Sequence, residues 1–390
     1  MKILVASHTY IVDLNRDKFR ELAQLAPDIE VTVVVPERWQ PGGVQKKTIV
    51  SEPLDEGNFH IVPVPNFSQN QQGLLTFKWG IVSLLRRFKP DIIHVEQGAK
   101  GLAYAQLITL NKLLGLKAKN TFFTWWNIPY TLKWPVSWLE AYNLGNTHGA
   151  IPGNKDGADI LRDRGYKGPI EILPQLGVNE TLFRPQEQTE LRAKYGIAAD
   201  EFTIGFIGRF VEEKGLLTLA RALEGMADRR WKCVLLGRGP LREQLETWVA
   251  DRGWRDRVLF VESVPHDEVY RYINLLDTMV LPSETTYKLK TLSSVGWKEQ
   301  FGHVLIEAMA CKVPLVGSDS GEIPYVIDEA GLTFPEGDAD KLRQCLLRYL
   351  DDPDFARERA ELGYTRAMEK YTNRAIAQQQ LDFYRQVLAA

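Results

Sequence analysis

Short, almost continuous apolar runs recur along this chain, and stretches with helical spacing separate them. Runs at 2–6, 30–35, 91–95 and 120–125 form one series. A second begins at Phe202-Thr203-Ile204-Gly205-Phe206-Ile207 and continues at 232–236, 258–261, 278–281 and 313–317. Runs this short and this apolar suit strands buried on both faces, which parallel sheets require because helices cover each side. The alternation therefore predicts an α/β protein with two doubly wound domains. A chain of 390 residues is long enough for two cores. The polar stretch Arg184-Pro185-Gln186-Glu187-Gln188-Thr189-Glu190 places the boundary near 184–200, giving domains of 1–185 and 186–372. The segment from Tyr371 to Ala390 reads as a terminal helix with Ile376, Leu381, Phe383, Tyr384 and Leu388 on its apolar side.

Composition narrows the class. The apolar fraction is 44% and the charged fraction 25%, as in soluble globular proteins. No apolar run is long enough for a transmembrane helix, and Met1 to Ser7 reads as a first strand rather than a secretory leader. Cys233, Cys311 and Cys345 are three widely spaced cysteines, which points to reduced core thiols and a cytoplasmic location. Residues 1–185 carry 21 Lys and Arg against 17 Asp and Glu, a balance of +4, and the remainder a balance of −6. The mildly basic first half suits an anionic acceptor or a membrane surface, and it is too weak for nucleic acid. Phe77 to Lys89 is basic and amphipathic. Two readings stand for it: peripheral membrane contact, or a core-facing helix with a solvated charged face.

Two constellations carry chemistry. In Trp297-Lys298-Glu299-Gln300-Phe301-Gly302-His303-Val304-Leu305-Ile306-Glu307, two glutamates stand eight positions apart across a Phe-Gly pair. Gly302 permits a tight turn, and the helix start after it presents N–H groups to an anion. Carboxylates at 299 and 307 can accept hydrogen bonds from hydroxyls while the helix start holds a phosphate. That combination suits a sugar joined to a nucleotide diphosphate. Upstream, the strand 202–207 runs into Gly208-Arg209-Phe210-Val211-Glu212-Glu213-Lys214-Gly215 and then a helix with Leu216, Leu219, Ala220 and Leu223 on one face. Arg209 supplies a planar fork and Lys214 a movable point charge, a pair suited to clamping a diphosphate.

Together these segments resemble the retaining GT-B glycosyltransferases, in particular glycosyltransferase family 4. Glu299 and Glu307 match its Glu-x7-Glu signature; Gly208, Arg209 and Lys214 match its Gly-Arg-x4-Lys signature. Leu236-Gly237-Arg238-Gly239-Pro240, Leu281-Pro282-Ser283 and Pro314 to Pro324 are similar to further motifs, and Leu173 to Asn179 and Phe183-Arg184-Pro185 to its interdomain segment. The resemblance runs from about residue 170 to 335 and is weaker in the first half. It implies a GT-B architecture, two Rossmann-like domains facing each other across a deep cleft, with the terminal helix, about 373–390, returning to the first domain. It also implies a retaining, metal-independent transfer from a nucleotide-diphosphate sugar, UDP- or GDP-linked, to a hydroxyl acceptor, lipid-linked acceptors included. Arg209, Lys214 and Glu299 would be catalytic. Gly208, Val264, Phe301, Gly302, His303, Val304 and Glu307 would bind the donor, with Glu299 on sugar hydroxyls and Glu307 on ribose hydroxyls. No cofactor or metal is expected. A nucleotide-sugar epimerase, a phosphorylase on the same fold and a non-catalytic nucleotide-sugar binder stay open.

The chain departs from the family in places. Glu262, just before Val264-Pro265-His266, stands where a Gly is usual, which leaves the base open. Ser7-His8-Thr9-Tyr10 replaces a commonly Gly-rich loop, and Trp126 and Asn127 occupy the neighbourhood of a usual His. His8, Trp126 and Asn127 are weak candidates for acceptor or sugar contact, with strand-end packing as the other reading. His94 reads as a satisfied core histidine and Arg238 as solvated. Asp338-Ala339-Asp340 and Asp352-Pro353-Asp354 read as turn and cap residues rather than a metal motif. Ser283 to Val295, with Lys288, Lys290 and Thr291, reads as a long lid or binding loop.

Overall fold

The computed structural model describes residues 1–40, 48–290 and 294–390. It divides into two compact units, Met1–Gly177 with Asn373–Ala390, and Val178–Thr372. In chain order the first unit contains β1 (Lys2–Ala6), α1 (Asp17–Gln24), β2 (Glu30–Pro36), a short ribbon of β3 (Arg38–Trp39) and β4 (Ile49–Val50), β5 (Leu54–Glu56) and β6 (Phe59–Val64). It continues with α2 (Gly80–Phe88), β7 (Ile92–Val95), α3 (Leu102–Leu113), β8 (Lys119–Thr124), α4 (Val136–Leu144), β9 (Gly149–Pro152) and α5 (Lys155–Asp163). The second unit begins with α6 (Thr189–Lys194), β10 (Phe202–Ile207), α7 (Leu216–Glu224), β11 (Trp231–Leu236), α8 (Arg242–Asp251), β12 (Val258–Val261), α9 (Val269–Ile273) and β13 (Thr278–Leu281). There follow a hairpin of β14 (Thr286–Lys290) and β15 (Val295–Trp297), α10 (His303–Ala310), β16 (Leu315–Ser318), α11 (Ile323–Ile327), β17 (Gly331–Phe334), α12 (Ala339–Asp351) and α13 (Pro353–Lys370). The last helix, α14 (Asn373–Ala389), belongs to the first unit.

Both sheets have one winding order. The first runs β5-β6-β2-β1-β7-β8-β9, and the second β12-β11-β10-β13-β16-β17. Every pair is parallel except β5 with β6 at one edge. In each unit the chain winds outward from a central strand and then crosses to the other side. The strand order thus reverses between β1 and β7, and between β10 and β13, as in doubly wound folds. Alternate residues of β1 feed two cores. Leu4 and Ala6 join Ile81, Leu85, Tyr104 and Leu107 of α2 and α3, while Ile3 and Val5 join Phe19, Leu22, Leu381 and Tyr384 of α1 and α14.

The expected strands are all present. Those without an expectation are β5, β6, β9, β17 and the two short pairs, and their composition explains it. Pro63 lies inside β6, where a proline argues against a strand, and β9, Gly-Ala-Ile-Pro, carries a single large apolar residue. The stretch read as a long loop contains the β14–β15 hairpin instead; Thr291 lies outside the described residues. Along the terminal helix Val387 is buried, whereas Leu388 is 37% exposed. The contacts divide the units at Gly177, ahead of the polar 184–200 stretch. Val178 N–H bonds Tyr371 O at 2.8 Å, and Asn274 holds the backbone of Arg184 and Gln186. In α2, Ile81, Leu84, Leu85 and Phe88 face the core. Asp338 and Asp352 each cap a helix, accepting from Lys341 N–H and Phe355 N–H. No described helix is long and apolar enough to cross a membrane.

A buried polar network sits at the switch point of the first sheet. Glu96, directly after β7, is enclosed by Lys18 at 3.4 Å, the Tyr10 hydroxyl at 2.7 Å, Gln175 Nε2 at 2.8 Å and His94 at 3.7 Å. Burial alone would raise its carboxyl, but the Lys18 charge and the His94 and Gln175 contacts bring it down to about 2. His94 is the satisfied core histidine that was expected, with Thr121 Oγ1 2.9 Å from its Nδ1. A carboxylate held this low adds stability that is present above its usual value of 4.5 and lost as pH falls towards 2. Replacing Lys18 with Met leaves that charge buried without its partner. The expected loss is about 3–5 kcal/mol, read from urea unfolding at pH 7, with the acid-side dependence reduced. An unchanged midpoint would show that Lys18 does not hold Glu96 ionised.

Candidate active site

The second unit gathers its polar side chains at the C-terminal end of its sheet, where open α/β sheets take ligands. Gly208 extends the β10–β11 pairing, its N–H donating to Leu236 O at 3.0 Å. Arg209 then points outward, 66% exposed, with Glu213 3.8 Å away. A single 3-10 turn, Glu212–Lys214, returns the chain. Lys214 Nζ meets Oε2 of Glu299 and stands 5.0 Å from the centre of the Trp297 ring. Gly215 closes the turn at φ +66°, and a Cβ there would lie 1.7 Å from Pro282 O. The turn that carries Lys214 therefore packs directly on the loop after β13.

Glu299 is buried, and its position is set from several sides. Ser283 Oγ donates to Oε2 at 2.7 Å. The Glu299 N–H reaches Ser320 Oγ at 3.5 Å, and its carbonyl accepts from Glu322 N–H at 3.2 Å. Loops after β10 and β13 thus converge on one carboxylate while the loop after β16 holds its backbone, and the Lys214 ammonium offsets the cost of burying it.

Eight residues on, Glu307 lies on the second turn of α10. Gly302 starts that helix at φ +79°, with Leu281 Cδ2 2.6 Å from where a Cβ would stand. Phe301 is buried edge-on against Tyr371, with centroids 5.8 Å apart. The N–H groups of His303 and Val304 belong to the first turn, where a helix has no internal acceptors. The Glu307 carboxylate lies 3.0 Å from His303 Nδ1 and 3.4 Å from His266 Nε2. His266 opens a short 3-10 turn after the half-buried Val264. The His303 side chain therefore faces the Glu307 carboxylate.

The structure joins Lys214 with Glu299 and sets Glu307 on the helix that follows, while Arg209 stays at the exposed strand end. Sequence reasoning did not assign Ser283, Trp297 or His266 to the site. Leu281-Pro282-Ser283 and Val264-Pro265-His266 were visible as motifs, but only folding brings their side chains to the two carboxylates. Arg238 is exposed, as expected, with an Nη2 bond to Ser263 Oγ. Among the described residues no group of three or more His, Cys, Asp or Glu is placed to hold a metal ion.

In the first unit, His8 packs against Trp39 at 5.0 Å between centroids. Burial lowers its pKa, although Glu96 pulls it back up. Trp126 is pinned by Nε1 donating to Ile128 O at 2.5 Å, and the Lys100 ammonium lies 3.5 Å from the centre of its ring. Asn127 is buried.

Two sheets with this winding and loops of this kind define a GT-B protein. Anabaena HepE, solved in complex with UDP-glucose, superimposes with a TM-score of 0.68 at 16% identity, over 99% of this chain and 100% of that one. Residues 187–366 match the family described as glycosyl transferases group 1. The chain is 29% identical over 204 residues to the alpha-D-kanosaminyltransferase of Streptomyces kanamyceticus, covering 51% of this chain and 49% of that protein. It is 26% identical over 314 residues to the lipopolysaccharide core biosynthesis glycosyltransferase LpsD of Rhizobium meliloti, covering 79% and 78%. The chain spans about half the length of curated relatives such as the first.

Gly215 and Gly253 provide a matched test of how the Lys214 turn is held. Both have φ near +66°, but a Cβ at Gly253 meets nothing within 4 Å. Gly253→Ala carries the left-handed penalty alone, about 1 kcal/mol. Gly215→Ala adds the collision with Pro282 and should lower the melting temperature further. Equal shifts would show that the Pro282 loop yields freely.

Proposed function

We propose that this chain is a retaining, metal-independent glycosyltransferase. It moves a sugar, a hexose in the simplest case, from a UDP- or GDP-linked donor to a hydroxyl acceptor, in the assembly of a glycan, polysaccharide or glycolipid. The observation that carries the reading is the pairing of the half-buried Lys214 with the buried Glu299 beside the start of α10. The family of the second unit and the UDP-glucose bound by HepE support it.

The pair divides its two charges when donor binds. Lys214 exchanges Glu299 for the diphosphate, Arg209 closes on the same group, and Glu299 turns its acceptor oxygens to the sugar hydroxyls. Ser283 keeps one of those oxygens oriented. The N–H groups at the start of α10 add the positive end of a helix dipole, and Glu307 takes the ribose hydroxyls. As the sugar–oxygen bond breaks, negative charge grows on the departing diphosphate, and the fixed cations attract it most strongly at that moment. The acceptor hydroxyl attacks on the face that the diphosphate leaves, and a donor phosphate oxygen takes its proton. No enzymic nucleophile is needed; the protein supplies position and charge.

Arg209→Ala and Lys214→Ala should each lower kcat about 10²–10³-fold while the intact donor still binds. Steady-state kinetics on a nucleotide-sugar panel, with donor affinity measured in parallel, checks this; normal kcat in both variants would overturn the diphosphate assignment. Turnover should survive EDTA, and activity that is lost and then restored by Mg²⁺ or Mn²⁺ would sink the metal-free mechanism. Glu307→Ala should weaken nucleotide binding by about 1.5–3 kcal/mol, measured by calorimetry, whereas unchanged affinity would remove Glu307 from the site.

A further inference from the structure

The C-terminal end of the first sheet holds polar groups that its own fold leaves without partners among the described residues. Gln97 stands two residues beyond β7, and both atoms of its side-chain amide are shielded from solvent and unbonded. His8 stands two residues beyond β1, and its Nδ1 is in the same condition. β1 and β7 are the neighbours between which the strand order reverses. Each buried, unbonded group costs about 1–3 kcal/mol, so their placement after two adjacent strands, at a ligand-binding position, calls for a ligand.

Lys100 adds charge to this place. Its ammonium lies 3.5 Å from the centre of the Trp126 ring and 3.7 Å from that of Tyr130, with no hydrogen-bond acceptor among the described residues. The carboxylate in reach is already engaged. Glu140 binds Arg164 through Oε2, with Nε at 2.8 Å, and takes the Tyr130 hydroxyl on Oε1. Glu140 and Arg164 neutralise each other, which leaves Lys100 as the uncompensated charge. Gln97 is close by: its Oε1 would lie 2.8 Å from a Cβ on Gly101, the residue after Lys100.

We propose that this end of the first unit is a subsite for a sugar bearing an oxyanion, carboxylate or phosphate, with the anion on Lys100 Nζ, hydroxyls on Gln97 and His8, and the ring against Trp126. That this sugar is the acceptor rests on the transferase reading; the binding itself does not. An ammonium between two aromatic faces gives an anion a strong partner, because water screens it poorly there. Burial lowers the Lys100 pKa to about 8, against an upward pull from Glu140 and a further push down from Arg164. Anion binding should therefore weaken as pH rises through 8. Tyr130, against Lys100, and His8, at the end of the neighbouring strand, keep their charge over that range. Tyr130 stays protonated, raised by burial and by its Glu140 bond. His8, lowered by burial, stays neutral.

The test is calorimetry on the full chain without nucleotide sugar, using glucuronate, glucose 6-phosphate and methyl glucoside. The two anions should bind at least about tenfold more tightly than the neutral sugar at pH 7. Glucuronate affinity should fall about tenfold between pH 7 and 9 as Lys100 deprotonates. Lys100→Met should remove the preference for anions and leave methyl glucoside binding unchanged; Gln97→Leu should weaken all three alike. Tighter binding of one anion alone identifies the oxyanion. Equal affinity for charged and neutral sugars in the wild type, or an anion preference that survives Lys100→Met, overturns the subsite. Transfer from a nucleotide sugar without any anion preference sinks only the subsite, whereas anion binding in a chain that turns over no nucleotide sugar sinks only the transferase reading.

Discussion

A carboxylate taken out of water needs a counter-charge, and the second unit is organised around that need at Glu299. Lys214 meets it across 85 positions of sequence, from a turn pressed against Pro282. Ser283 fixes one oxygen, and Ser320 and Glu322 hold the backbone. Without the ammonium, the converging loops would enclose an isolated charge, which protein interiors do not tolerate. The same pairing keeps Lys214 in place before any ligand arrives. A compact ammonium on a flexible stem can exchange one oxyanion for another with little rearrangement, which a bidentate guanidinium cannot. The exposed Arg209, held only loosely by Glu213, supplies the more mobile of the two charges.

The first unit shows the contrast between a saturated charge network and an unsaturated one. Glu96 and Lys18 are buried with Tyr10, His94 and Gln175 around them, and the carboxylate is bonded from several directions. Such a network ties β7 to α1 and to the segment before Val178; it is structural. A few residues along the same strand end, Gln97 and Lys100 have no such partners. Neighbouring polar groups of one loop thus divide into those the fold satisfies and those it leaves for another molecule. Sequence hydropathy does not separate the two, since both are polar residues after an apolar strand.

How much of this was legible in the sequence follows from locality. Strands such as 202–207 and 278–281 are apolar runs in themselves, and each was readable alone. β6, with Pro63 inside it, and β9, with its single isoleucine, are strands only because neighbours pair with them. The unit boundary was drawn from polarity, but Asn274, nearly ninety positions away, stitches 184–186 to the second unit. Glu299 and Glu307 were legible because a turn and a helix fix their relation locally. Ser283 and His266 were not, because each reaches its carboxylate through tertiary structure, and Trp297 was not, because its ring meets Lys214 only in the fold. Trp126 was visible as a departure, but nothing in its own segment announces that Lys100 fills the space between it and Tyr130.

The two sheets share a strand order and a switch point, yet the same position does different chemistry in each. After β10, the turn carries cations towards a carboxylate and the helix start of α10, an arrangement for an anion with hydroxyls beside it. After β7, the loop carries an amide and a lysine between aromatic faces, with Glu140 and Arg164 cancelling behind them. The scaffold fixes where loops emerge and that strand ends face outward; the loops alone decide what is bound. A protein that must hold two hydroxylated molecules and make only one of them leave gains from this division. Fixed cations belong where charge grows during reaction, and a single, titratable lysine suffices where charge stays constant. On the transferase reading, the placement of Arg209 and Lys214 in one unit and Lys100 in the other meets that requirement.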